Sequence, residues 1–146
     1  MSPKQSRWFL AGILITAGLV VTARSCRADD APLDPVATLR QVNRILGTNV
    51  ETPPTVVYVN RIVNRRGDTD WGAYAAGEVQ ISRKTLPGCE PLSLAHETGH
   101  HVAIKANLVA GIPNDAALLK AEMERISRKV ELEFVPYSPN CFERTD

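Results

Sequence analysis

The stretch LSLAHETGHHVA, residues 92–103, places two histidines four residues apart with a glutamate directly after the first. On a helix, positions i and i+4 lie one turn above each other on the same face, so His96 and His100 would present two imidazoles to one point. A zinc ion takes two of its ligands in this way. Glu97 is turned only about 100° from His96, so its carboxylate can reach a water at that point without being a ligand. Zinc lowers the pKa of such a water toward ~7, and a neighbouring carboxylate takes its proton as the water attacks a carbonyl. The bland alternative is two histidines that fall four apart by composition. Leu92, Leu94, Ala95, Val102, Ala103 and Ile104 argue against it. They mark a largely buried helix, in which unpaired histidines would be costly. His101 points away from His100 and reads as a packing or supporting group.

Two histidines leave the ligand set short. No histidine follows His101, so a carboxylate must serve, and the final apolar-periodic segment offers Glu122, Glu124, Glu131 and Glu133. Leu119, Met123, Ile126 and Val130 define a stripe at helical spacing. On that phase Glu122 lies at the edge of the stripe, one turn from Leu119 and Ile126. Glu124 and Glu131 fall on the solvated face, and Glu133 points inward near a frayed end. The expected third ligand is therefore Glu122; the alternative is that Glu122 merely flanks the stripe and pairs with a basic neighbour.

The elements that must hold these residues are well punctuated. Asp34 suits an N-cap, Pro35 a first helical position and Gly47 a left-handed close, with Val36, Leu39, Asn43 and Leu46 on one face and Val42 beside it. TVVYVN (55–60) is rich in β-branched residues and reads as a strand that could continue through Ile62 and Val63; NRRGDTD reads as a turn or loop. WGAYA and EVQIS follow as short strands around Gly77. A helix from Pro91 to Ala106, a short connection, an Asn114 cap and a helix to about Phe134 complete the order. A helix, a short, mainly antiparallel sheet, then an active-site helix and a third-ligand helix make an α+β fold.

Composition bounds the function. At 146 residues the chain holds one modest core. Its formal charge is +1, but four basic residues lie within the first 28, leaving 13 basic against 16 acidic groups in the remainder. That gives no basic field for nucleic acid. Lys4 and Arg7 precede the apolar run from Trp8 to Ala23. Sixteen helical residues span roughly 24 Å, short of the ~30 Å hydrocarbon core. Residues 1–28 therefore read as a signal peptide, cleaved after Ala23 or Ala28, with an uncleaved membrane anchor as the rival. A lipoprotein reading of Cys26 lacks the leucine expected three residues before it. The body, 29–146, is expected outside the cytoplasm, periplasmic or secreted. Cys89 stands just before the motif helix and Cys141 just after the final one. A short connection makes those helices antiparallel neighbours, which brings the two cysteines together as a disulfide.

A helix carrying HETGH, preceded by a short strand and followed by a helix with a glutamate ligand, resembles the gluzincin metallopeptidases. Its compactness is similar to the minigluzincins and the ImmA/IrrE-like peptidase domains. The latter carry an EANxFA-type segment on the third-ligand helix; EMERIS (122–127) resembles it in outline, with Glu122 in the ligand place and departures at Met123, Glu124 and Ile126. The resemblance covers roughly Thr55 to Val135. It implies that the strand before the active helix is an edge strand holding substrate extended and antiparallel, which here points to Gly77, Val79 and Ile81. It also implies an oxyanion partner, for which Tyr74 and Tyr137 are the candidates.

The expectation from the whole sequence is a Zn(2+)-dependent peptidase acting on a peptide or protein substrate, with Glu97 as general base and His96, His100 and Glu122 on the metal. Amidase action on cell-wall peptide bonds is a related possibility. The alternative from another class is a catalytically silent, zinc-stabilised binding or assembly protein of the cell envelope. An open fourth position on the metal separates the two, because structural sites are closed by four protein ligands.

Overall fold

The computed structural model describes residues 33–135 and 139–141. Helix α1, Pro35–Leu46, begins as its sequence demands: Asp34 Oδ1 accepts from the backbone N–H groups of Val36 and Ala37, and Gly47 closes the end at φ 67°. Thr38, Leu39 and Val42 form its buried face, while Val36 stays exposed. Five short strands follow: β1, Thr55–Val59; β2, Ile62–Val63; β3, Thr69–Asp70; β4, Gly72–Ala75; and β5, Glu78–Ser82. The NRRGDTD segment supplies the turn of a small β2–β3 hairpin and, in Thr69–Asp70, its second strand.

The main sheet has the order β1-β5-β4, with β1 parallel and β4 antiparallel to β5. This corrects one expectation. The strand before the motif helix is the central one, so β5 has no free edge to offer a substrate. Val79 and Ile81 are fully buried under the helix layer, and Gly77 is tied to β1 through the bond from Thr55 N to its carbonyl. The terminal strand on that side is β4.

Helix α2, Glu90–Lys105, carries the motif and is buried almost all round, as its apolar flanks require. Helix α3, Ala116–Glu133, starts one residue later than expected, with Asp115 Oδ1 capping Ala117 and Leu118. Its first six residues are exposed, Leu118 and Leu119 included; the buried face is Ile126, Ser127 and Val130, continued by Phe134. The motif helix α2 packs on β4 and β5, and α1 and α3 pack on α2, giving three helices with a small mixed sheet, an α+β fold. The main core joins Leu39 and Val42 of α1 to Leu92, Ala95 and Val102 of α2 and to Val130 and Phe134 near the end of α3.

Cys89 and Cys141 are bonded and buried within that core. The bridge is compatible with an oxidising, exported location, as secreted proteins keep such bonds. Among the described residues no helix is long and apolar enough to cross a membrane; the segment 1–28, Cys26 and Tyr137 lie outside the described residues. A bridge between residues 52 apart removes chain entropy from the unfolded state worth about 4 kcal/mol in the loop-closure picture. Denaturant titration with and without reductant checks this. The reduced protein should unfold at a clearly lower midpoint, and coincident curves would show that the bridge adds nothing.

Candidate metal centre

Helix α2 stacks His96 and His100 one turn apart with their Nε2 atoms 3.1 Å from each other. Their outer nitrogens are anchored on α3. His96 Nδ1 lies 2.7 Å from Glu131 Oε1 and His100 Nδ1 lies 3.2 Å from Ser127 Oγ. These partners settle the tautomers. A carboxylate can only accept, so His96 Nδ1 carries the proton. Ser127 spends its own hydroxyl proton on the carbonyl of His96 at 2.8 Å, so it accepts from His100 Nδ1. Both neutral imidazoles then turn a lone pair toward the same point. Two acceptors 3.1 Å apart repel unless a cation lies with them.

Carboxylates complete the cluster. Glu124 places Oε2 3.5 Å from His96 Nε2 and Oε1 3.6 Å from His100 Nε2. Glu97 Oε2 is 4.0 Å from His100 Nε2. His96, Glu97 and His100 offer ligand atoms within 4.8 Å of one another, a group that could hold a metal ion. For bonds of ~2.0–2.1 Å the edge of a tetrahedron of ligands is about 3.3 Å. The three separations among His96, His100 and Glu124 lie closer to it than that of Glu97.

Charge follows the same geometry. Burial opposes a proton on His96, yet its bonds to Glu124 and Glu131 and the charge of Glu97 push it up to about 10. Burial, then the His96 charge, push His100 down to about 4. In the ion-free cluster one proton therefore takes the place of a cation. Burial first, then the charges of Glu124, Asp70 and Glu131, push Glu97 up to about 7 against the pull of His96. Burial works against the charge of Glu131, but the bonds from His96 and Arg128 hold it below the usual carboxylate range.

Glu122 is elsewhere. Its carboxylate takes two bonds from Arg125, at 2.6 and 2.9 Å, and it does not reach the histidines. The expectation set Glu124 and Glu131 on the solvated face; here both lie beside the histidines. Ser127, small and fully buried, shifts the buried face toward positions 124, 127 and 131, spaced i, i+3, i+7, which is the side that meets α2. Glu133 is exposed. Tyr74 is not available to an oxyanion: its hydroxyl accepts from Gly77 N at 3.1 Å and lies 3.3 Å from His101 Nδ1. His101, fully buried, also bonds the Thr52 carbonyl through Nε2 and so braces the sheet.

The sequence reading missed Ser127 and Gly72, and set on the solvated face Glu131, whose side chain is mostly buried. Gly72 opens β4 directly over Glu97: a Cβ there would lie 2.7 Å from Glu97 Oε1 and from Ser93 Oγ. The cluster forms the floor of a cleft of about 1390 Å³ between the β2–β3 hairpin, β4 and α3. Compared with known proteins, the chain matches no family model, no curated protein and no solved structure.

Ligand substitution separates the glutamates. Even partners behind the ligands are worth ~10–100-fold in metal affinity. Glu131→Gln should therefore weaken zinc binding by about that factor, and Glu124→Ala should weaken it further. Glu122→Ala should match the parent. Competition with a chelating dye measures all three, and a dependence on Glu122 instead of Glu124 would show the α3 phase to be wrong.

Proposed function

We propose that the protein is a zinc-dependent peptidase of the compact gluzincin type, with His96, His100 and Glu124 holding the metal. One observation carries this proposal. Two imidazole lone pairs and one carboxylate converge on a point at the floor of an open cleft, while a second carboxylate, Glu97, lies beside that point without being needed to close it. Zinc bound there would supply Lewis acidity, polarising a carbonyl and acidifying water.

The chain's own groups divide the remaining work. Glu131 and Ser127 hold the imidazoles in the tautomers that turn Nε2 inward. Glu97 takes the proton of the attacking water and passes it to the departing amine. Its carboxylate is buried beside the metal point, 4.0 Å from His100 Nε2, within reach of a water there. The terminal strand β4 runs along the cleft and contributes Gly72, Ala73 and Tyr74 to its wall, so an extended peptide would lie against this strand rather than against β5. Gly72 lets the backbone approach the base, since any side chain there would occupy its space. The silent, zinc-stabilised alternative needs a site closed by four protein ligands, and the cleft favours an open one.

Two substitutions test the division of labour. Glu97→Gln should keep zinc stoichiometry and lose hydrolysis by ~10²–10⁴-fold, the usual worth of a positioned base. Full peptidase activity in that variant would exclude the mechanism. Gly72→Ala should also retain metal. Its methyl displaces the flexible ends of Glu97 and Ser93 rather than backbone. The cost should therefore fall mainly on kcat, with a thermal midpoint close to that of the parent.

A further inference from the structure

Beyond residue 28 the chain is net acidic, yet five of its thirteen remaining cations line this one cleft: Arg65 and Arg66 on one side, Lys120, Arg125 and Arg128 on the other. They come from two separate elements that face each other across the site. Arg65 and Arg66 sit at the tip of the β2–β3 hairpin, in a turn that is itself organised. Asn64 Oδ1 accepts from the backbone N–H groups of Arg66 and Asp68, Asn64 and Asp68 pair through their backbones, and Gly67 takes φ 88°. The tip thus presents two guanidinium groups at a set place, and neither forms an ion pair among the described residues.

On the opposite wall Lys120, exposed and lining the cleft, lies one turn before Glu124 on the same helical face. Arg125 and Arg128 are engaged by Glu122 and Glu131, so Arg65, Arg66 and Lys120 carry the argument. Four carboxylates also line the cleft, Asp70, Glu97, Glu124 and Glu131. With Glu122, which Arg125 engages, five cations meet five anions; a bound divalent ion would leave two positive charges in excess. Glu97, Glu124 and Glu131 lie beside the metal point; Arg65, Arg66 and Lys120 are exposed, where the side chains of a bound peptide would project. An extended chain against β4 would send alternate side chains toward the two walls.

We propose that the cleft selects acidic peptide segments, with Asp or Glu side chains within two or three residues on either side of the bond to be cut, held by Arg65 and Arg66 on one wall and Lys120 on the other. This rests on the peptidase reading of the same site. A strand edge beside the cations favours peptide over nucleic acid as the anionic polymer.

The test uses the zinc-loaded protein and a matched peptide set in which Glu residues flanking the scissile bond are replaced by Gln or by Lys. The acidic peptide should be cleaved with kcat/KM on the order of 10-fold above the Gln peptide at low ionic strength, converging by ~1 M salt, where the Debye length is ~3 Å. Arg65→Glu/Arg66→Glu and, separately, Lys120→Glu should lower that ratio or invert it toward the Lys peptide. Binding of the same labelled peptides to zinc-loaded Glu97→Gln protein gives a readout independent of turnover. Hydrolysis with no acidic preference, or a preference indifferent to salt and to both charge reversals, overturns the inference and leaves the peptidase standing. Selective, salt-sensitive binding of the acidic peptide without hydrolysis by the parent keeps the recognition surface and removes the peptidase. Displacement of the acidic peptide by a single-stranded oligonucleotide at lower concentration overturns the peptide assignment.

Discussion

The close contact of α2 with α3 at Gly99 and Ser127 sets the distances on which the site depends. A Cβ on Gly99 would lie 2.8 Å from Ser127 Oγ and 3.2 Å from Ser127 Cα, closer than side chains tolerate, so two small residues allow the helix backbones to approach. At that separation one hydroxyl spans two turns of α2, donating to the His96 carbonyl and accepting from His100. The antiparallel direction does the rest. Moving from Ser127 toward the C-terminus of α3 brings Glu131 to His96, and moving toward its N-terminus brings Glu124 to the Nε2 pair. Sliding either helix by one turn, ~5.4 Å, would separate every one of these partners.

Electrostatics explains why so small a core can hold so polar a centre. Glu97, Glu124 and Glu131 bring three negative charges to two imidazoles, most of them half-buried or more. Uncompensated buried charge is expensive. Arg128 offsets one carboxylate through Glu131. A divalent cation would offset the other two; otherwise, against the effect of burial, the carboxylates around it raise the proton affinity of His96, and burial with its acidic neighbours raises the pKa of Glu97.

Much of this was legible in the sequence, and the remainder fails for identifiable reasons. Local signals worked: Asp34 and Gly47 bound α1, the apolar flanks bury α2, and the Cys89–Cys141 bridge follows from helix direction alone. Periodicity locates a stripe and sets Glu124 on the solvated face, but the buried face, shifted by Ser127, has Glu122 and Glu124 at opposite edges. Which edge meets α2 depends on tertiary contact, for which Ser127, a small polar residue inside the apolar stripe, was the available clue. The sheet order failed similarly. Nothing in EVQIS says that Thr55–Val59 will add beside it in parallel and leave β4 at the edge. Val79 and Ile81, both fully buried, suit a central strand covered by helices.

Helix α3 also changes character along its length, and the site uses the change. From Ser127 onward its inner face is buried against α2 and its end is tied by the Gln41 side chain to the Val135 carbonyl and by the nearby disulfide. Its first six residues stand in solvent. Glu131 and Ser127 therefore belong to the rigid half and hold the imidazoles in fixed orientation. Glu124, with half of its side chain exposed, sits where the helix leaves the core, so its carboxylate can move toward or away from the histidine pair at little cost in packing. With Glu124 as the proposed third ligand, a bound ion would be held through the locked pair and could adjust through the third. That arrangement suits a catalytic site, where coordination must change as substrate enters, better than a structural one, where all ligands are equally held.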